Sequence, residues 1–310
     1  MKKVVIIYGP TGVGKTSTSI KLAQKIGGEI ISADSMQVYK NMDIGTAKIT
    51  KHEMCGVKHY MLSIISPKTK WTVYDFVTGA NAIIEKIIAK GKIPIVVGGT
   101  GLYLKALIEG YDFEGVNGNC QVREKYNEMA KTHGNLFIYE LLKQKNPEKA
   151  AKIKENDTVR IVRALEIEEL AGQKTFEERK KKYDFVLFAL MKDREKLYKK
   201  INSRVNLMFK NGLKNEVKNL LDQKIDERYT SMQAIGYKEL LMYFRKELTL
   251  LEAKELIKKR SRNYAKRQIT FLNSFENVIK IDAGKNAADK IEKYLKTENL
   301  IWKLMKLSKI

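Results

Sequence analysis

Val4-Val5-Ile6-Ile7-Tyr8-Gly9-Pro10-Thr11-Gly12-Val13-Gly14-Lys15-Thr16 is the stretch on which the fold turns. Its first five residues form the short, unbroken apolar run of a strand buried on both faces. The next eight fit G-x-x-x-x-G-K-[ST], and residues 15–26 continue as an amphipathic helix. A strand, a glycine-rich loop and a helix in that order make a phosphate cradle: loop and helix-terminal N–H groups surround phosphate oxygens, Lys15 neutralises their charge, and the Thr16 hydroxyl is placed for Mg²⁺. The pattern predicts that Gly9, Pro10, Thr11, Gly12, Val13, Gly14, Lys15 and Thr16 grip a diphosphate.

Beyond this stretch, short apolar runs at Ile30-Ile31 and Pro94-Ile95-Val96-Val97 alternate with a helical pattern over Val73–Ala89. That rhythm predicts an α/β protein with a P-loop NTPase-like parallel sheet flanked by helices. After about Phe113 the strands stop, and the chain to about Tyr183 reads as helices rich in Glu, Lys and Arg, closed by Arg179-Lys180-Lys181-Lys182. An inserted all-helical subdomain over residues 113–183 is therefore expected within a core made of residues 1–112 and 184–310. Phe185-Val186-Leu187-Phe188-Ala189-Leu190 resumes the strand pattern. Helical stretches follow at residues 194–209 and 250–275, then a last strand at Val278-Ile279-Lys280-Ile281, a helix from Ala287 and a Lys-rich tail.

The 310 residues carry 59 Lys and Arg against 36 Asp and Glu, a net charge of +23. This suits a polyanionic partner or a Lys-rich solvated surface, and composition does not separate them. Cys55 and Cys120 are too few and too far apart for a disulfide framework or a tetrahedral zinc site, and are expected to be reduced thiols in a cytoplasmic protein. No window approaches the roughly 18 apolar residues of a membrane helix, so no membrane partner is expected.

A P-loop by itself suggests ATP. The strand ending at Val97 runs into Gly98-Gly99-Thr100-Gly101 without a carboxylate, whereas the one at Ile30-Ile31 ends in Ser32-Ala33-Asp34-Ser35. Asp34 is then read as a magnesium ligand or a general base at the carboxyl end of the sheet. Arg160 and Arg163, three apart in a stretch that Asn156 or Asp157 caps, are read as a phosphate contact or a solvated helix face. Lys258-Lys259-Arg260-Ser261-Arg262-Asn263-Tyr264-Ala265-Lys266-Arg267 holds six cations and no acid, a density suited to nucleic acid. Ile257, Tyr264, Phe271 and Leu272 are read as core. His52, His59 and His133 are too isolated for a metal site, and His59 is expected to pack a pocket wall.

Asp34-Ser35-Met36-Gln37-Val38-Tyr39, Gly45-Thr46-Ala47-Lys48 and Gly98-Gly99-Thr100-Gly101-Leu102-Tyr103 together resemble the tRNA dimethylallyltransferases. Asn156-Asp157 with Arg160, Arg163-Ala164-Leu165-Glu166, Ala234-Ile235-Gly236-Tyr237 and Ala265-Lys266-Arg267-Gln268-Ile269-Thr270-Phe271 resemble that family's later blocks, in order to about residue 275. The resemblance implies transfer of a dimethylallyl group from dimethylallyl diphosphate to N6 of adenine 37 beside a tRNA anticodon, releasing pyrophosphate. It implies that Asp34 takes a proton from, or hydrogen bonds to, the attacking amine, and that Lys15, Thr16 and Arg204 hold the diphosphate. It also implies that Asp34, Ser35, Met36 and Gln37 meet the flipped base. Thr100, Arg123 and the segment Val159-Arg160-Ile161-Val162-Arg163 would contact the anticodon stem-loop. The chain lacks the paired Cys and His of the eukaryotic zinc finger and so resembles the bacterial type; a monomer is expected. Competing readings are a P-loop kinase for a small metabolite, a prenyltransferase acting on free adenine nucleotides, and a non-catalytic RNA-binding protein using the loop as a switch.

Overall fold

The computed structural model describes residues 2–110, 120–171 and 182–298. The first residues of the expected insertion, Arg179, Lys180 and Lys181 of the basic run, and the Lys-rich tail lie outside them. By its contacts the chain divides into two compact units, one of residues 1–109 and 181–310 and one of residues 110–180. The sequence pattern puts both boundaries slightly later. Tyr183 belongs to the first unit, where it is buried and its hydroxyl donates to Glu85 at 2.9 Å.

The first unit opens with β1 (Lys3–Tyr8), buried from Val4 to Tyr8 as its apolar run requires. The glycine-rich loop leads into α1 (Lys15–Ile26), which turns Ile20, Leu22, Ala23 and Ile26 inward and ends at Gly27, whose φ of 66° is left-handed. Then come β2 (Gly28–Ala33), a two-residue β3 (His59–Tyr60), α2 (Val73–Ala89), β4 (Ile93–Gly98) and α3 (Gly101–Glu109). A capping box starts α2: the Thr72 hydroxyl accepts from the Asp75 N–H, and the Asp75 carboxylate accepts from the Thr72 N–H.

The second unit is helical, with α4 (Cys120–His133), α5 (Asn135–Lys145), a single turn α6 (Pro147–Ala150) and α7 (Thr158–Ala171). Tyr126, Ile138, Leu142, Ile161 and Leu165 form its core. Pro147 sits in the first turn of α6, where its missing N–H costs nothing, and the Asn146 side chain accepts from Lys149 N.

The chain then returns through β5 (Asp184–Met191), α8 (Arg194–Lys210), α9 (Leu213–Asp222), α10 (Tyr237–Phe244), α11 (Leu250–Phe271), β6 (Ile279–Asp282) and α12 (Ala287–Thr297). Neither α9 nor α10 is read from the sequence pattern above, nor is β3, whose two residues are too few to show a period. Among the described residues the sheet has six strands in the order β3-β2-β4-β1-β5-β6, every neighbouring pair parallel. The register sets up the site: Tyr8 lies opposite Gly98, Gly98 opposite Ala33, and Ala189 opposite Tyr8. Three strands therefore end level with one another, and the loops that begin at Gly9, Asp34 and Gly99 leave the sheet side by side at its carboxyl edge.

Candidate active site

The phosphate loop is shaped by its glycines. Gly12 has φ 78°, and a Cβ there would come within 3.1 Å of Ile201 on α8; Gly14, at φ 115°, precedes the first turn of α1 without a side-chain cap. The uncapped N–H groups of that turn are what an anion would engage. Lys15 folds back over the loop and donates from Nζ to the carbonyls of Gly9 (2.8 Å) and Pro10 (3.0 Å). Burial pushes its pKa from 10.5 down to about 8; the charge of Asp34 opposes that shift and the charge of Arg204 adds to it.

Asp34 is fixed by an Asx-type turn in which Oδ1 accepts from the N–H groups of Met36 (2.9 Å) and Gln37 (3.2 Å). Oδ2 has no hydrogen-bond partner among the described residues. The Thr100 hydroxyl accepts from Ser35 N at 3.3 Å, tying the second loop to the third. Gln37 donates to the Thr46 carbonyl at 3.2 Å. Arg204, from α8, reaches the same carbonyl with Nη2 at 3.4 Å and the Thr11 hydroxyl with Nη1 at 3.2 Å. Burial lowers the pKa of this guanidinium and Asp34 partly restores it. The loop carrying Thr46 is held in turn by Glu216, whose carboxylate accepts from the N–H groups of Asp43, Ile44 and Gly45 at 2.8, 2.7 and 3.0 Å and from the Tyr237 hydroxyl at 2.6 Å.

Two residues of α11 complete the arrangement, and the sequence reading gave neither a role in the site. Gln268 is buried and bridges two loops, accepting from Thr11 N at 2.8 Å and donating to the Gly99 carbonyl at 2.8 Å. Tyr264, read above as core, is only partly buried and lines the cavity beside Asp34 and Arg204. Its pKa is pushed up to about 12, first by burial and then by the charge of Asp34. Tyr264 lies within, and Gln268 directly after, a run whose cations dominate its reading. A lone amide at a buried helical position was the available signal.

These groups open on a cavity of about 300 Å³, polar at Thr11, Asp34 and Arg204 and apolar at Val205, Met208 and Ile235. A smaller pocket of about 60 Å³ brings Lys15, Thr16, Ser32 and Asp34 together, with His59 on its wall. His59 is half-buried, its Nδ1 is 2.8 Å from the Val57 carbonyl, and burial holds its pKa below the usual value, consistent with a packing role. Among the described residues no three His, Cys, Asp or Glu gather as a metal cluster. The hydroxyl of Thr16 and the carboxylate of Asp34 are the hard oxygen donors that suit Mg²⁺, an ion usually held by one or two protein oxygens together with substrate phosphates and water.

In the helical unit, the fully buried carboxylate of Glu166 accepts from Arg123 Nε and Arg163 Nη1, each at 2.6 Å, while both guanidiniums remain more than a third exposed. Asp157 caps α7, accepting from Arg160 N at 3.3 Å, and Arg160 is exposed. Val159 is 80% exposed, but Ile161 and Val162 are core, so their side chains face the neighbouring helices and offer no surface to a ligand. The cations of α11 divide likewise. Arg260 pairs with buried Glu239 and Arg262 donates to Asn202, whereas Lys259 and Lys266 stay exposed. No described helix is long and apolar enough to cross a membrane.

Sheet order, loop and level strand ends define a P-loop NTPase-like α/β protein whose phosphate cradle faces a carboxylate across an apolar-walled cavity. The chain belongs to the IPP transferase family, whose model matches residues 37–275; a second model, isopentenyl transferase, matches residues 2–66. It is 46% identical to a tRNA dimethylallyltransferase of Caldanaerobacter subterraneus subsp. tengcongensis over 88% of this chain and 90% of that one. The crystal structure of the full-length tRNA isopentenylpyrophosphate transferase from Bacillus halodurans aligns over the whole of both chains with a TM-score of 0.75 at 38% identity. A eukaryotic dimethylallyltransferase acting on tRNA aligns over 98% of this chain and 80% of its own with a TM-score of 0.82 at 30% identity.

Proposed function

We propose that the protein transfers a dimethylallyl group from dimethylallyl diphosphate to N6 of adenine 37 in the anticodon loop of tRNAs. The single observation that carries this reading is the convergence of Asp34, Arg204 and the phosphate loop on one cavity that is polar at one end and apolar at the other. A kinase needs the loop, but transfer of a phosphoryl group does not itself require the apolar wall. An allylic diphosphate uses both.

In this reading the diphosphate lies on the N–H groups of the 9–16 loop, with Lys15 and Arg204 beside it. Thr16 would hold Mg²⁺, which would supply positive charge to the diphosphate. The adenine amine attacks C1 of the allylic group: the new C–N bond forms, the C–O bond breaks with its electron pair going to diphosphate, and Asp34 accepts the surplus N6 proton. Fixed cations act where charge develops, on the leaving oxygen. Adenine 37 must leave its stack to reach Asp34, with Ser35, Met36, Gln37 and Thr100 reading it. Arg123, Val159, Arg160 and Arg163 would meet the anticodon stem-loop, and the protein would act as a monomer.

The test is incubation of the purified protein with Mg²⁺, labelled dimethylallyl diphosphate and an anticodon stem-loop. Label should enter the stem-loop bearing A37 and should not enter one bearing guanine there. Equal labelling of AMP would instead favour the free nucleotide as acceptor.

A further inference from the structure

We infer that Met208 sets the length of the allylic chain the site accepts, confining the transferred group to a single isoprene unit. The inference rests on the donor assignment above and goes beyond it to a residue and a chain length.

Helix α8 is anchored at the phosphate loop. A Cβ on Gly12 would meet Ile201 at 3.1 Å and Leu197 at 3.8 Å, so the first half of α8 packs directly on the loop. Arg204 follows and reaches the Thr11 hydroxyl at 3.2 Å. Met208 is four residues further on, on the same face of the helix and about 5–6 Å farther from the loop, a full turn at 1.5 Å per residue. The opposite wall has the same polarity. Gln268 grips Thr11 N, Tyr264 stands a turn away, and Ser261 and Ile257 lie farther still along α11. Arg262 of α11 donates to Asn202 of α8 at 2.7 Å, locking the two walls together.

The cavity thus has a phosphate end at Thr11 and Arg204 and an apolar end at Val205, Met208, Ile235 and Ile257. Val205 and Ile257 are buried members of a continuous core and cannot be displaced without opening it. Met208 and Ile235 are both only partly buried against that core; of the two, Met208 lies on the helix that carries Arg204, and its unbranched thioether adapts most readily to what fills the cavity. A diphosphate seated on the loop places its first isoprene unit between the levels of Arg204 and Met208. A second unit would have to occupy the position of the Met208 side chain.

The test compares dimethylallyl and geranyl diphosphate as donors to the same anticodon stem-loop, with wild-type protein, Met208→Ala and Met208→Phe. For the wild type, kcat/KM should favour dimethylallyl diphosphate by roughly a hundredfold, the scale on which a filled apolar pocket rejects an oversized group. Met208→Ala should raise the ratio of geranyl to dimethylallyl use by about tenfold or more. Met208→Phe should raise KM for dimethylallyl diphosphate while leaving KM for the stem-loop in place. Equal use of both donors by the wild type, or an unchanged ratio in Met208→Ala together with an unchanged KM in Met208→Phe, would overturn the inference. Failure of the wild type with dimethylallyl diphosphate itself would overturn the donor assignment, and that arm is read before any variant.

Discussion

Lys15 is where burial and charge oppose each other most directly. Its folded pKa of about 8 lies below the ordinary 10.5 because burial disfavours the ammonium. Between those values the unfolded chain binds more protons than the folded one, so folded stability rises with pH across that window, and below about pH 8 the cost of a buried cation is present in full. A bound diphosphate reverses this by favouring the charged form. Pyrophosphate binding should therefore take up a proton near pH 8.5 and weaken as pH rises further. Calorimetry in buffers of different ionisation enthalpy checks the uptake, which Lys15→Met should abolish. Asp34 belongs to the same scale. Asp34→Asn keeps an acceptor for Met36 N and Gln37 N, so the turn should survive, while kcat should fall by about 10² to 10⁴ if the carboxylate takes the proton. Single-turnover rates with saturating stem-loop would show it. Lys15, Thr16 and Asp34 are legible in sequence because a motif or a strand end marks them. Tyr264 is not, since nothing in its neighbours distinguishes a cavity wall from a core position.

Among the elements, α11 does more than its cations suggest. Its buried Gln268 satisfies one N–H on the phosphate loop and one carbonyl on the third loop, and Phe271 packs on Gly101, where a Cβ would fall 2.2 Å from the ring. Gln268→Ala should leave both backbone groups without this partner, at about 1–3 kcal/mol for the buried Gly99 carbonyl and less for the part-buried Thr11 N–H, and should raise KM for the prenyl diphosphate as the loops loosen. Denaturant unfolding and steady-state kinetics on the same variant would test the two halves together. Glu216 does similar service for the loop at residues 43–45, and Glu216→Gln should reduce affinity for the diphosphate through Thr46 and Arg204 without altering tRNA affinity. Strands β1, β2, β4 and β5 were readable from apolar runs, and α1, α2, α8 and α11 from helical period. The short α9 and α10 are absent from the sequence reading although Leu213, Val217 and Leu220 of α9 recur at helical spacing, because ten and eight residues give only two or three turns in which to show a period. Their contribution, holding a loop by a carboxylate and a phenol, is a tertiary contact that no local pattern announces.

For the whole molecule, the order β3-β2-β4-β1-β5-β6 with every pair parallel turns three loops distant in sequence into one site. The alternation of short apolar runs and helices predicts such a sheet, but the level ends at Tyr8, Ala33 and Gly98 are a property of register alone. The charge of +23 finds its finer meaning in placement. Arg260 and Arg262 are engaged within the fold, whereas the helical unit holds Arg123 and Arg163 on one buried carboxylate with their outer N–H groups exposed. Arg123→Ala should weaken tRNA binding, lower the slope of log affinity against log salt by about one, and leave KM for dimethylallyl diphosphate unchanged. Filter binding across a salt series measures the slope. If the phosphate loop holds a leaving group while Asp34 faces an adenine amine, nucleoside analysis of tRNA treated with the protein, Mg²⁺ and dimethylallyl diphosphate should show N6-(dimethylallyl)adenosine, confined to position 37 and absent with Asp34→Ala. Unmodified adenosine after treatment with the wild type, or a phosphorylated product in its place, would contradict it.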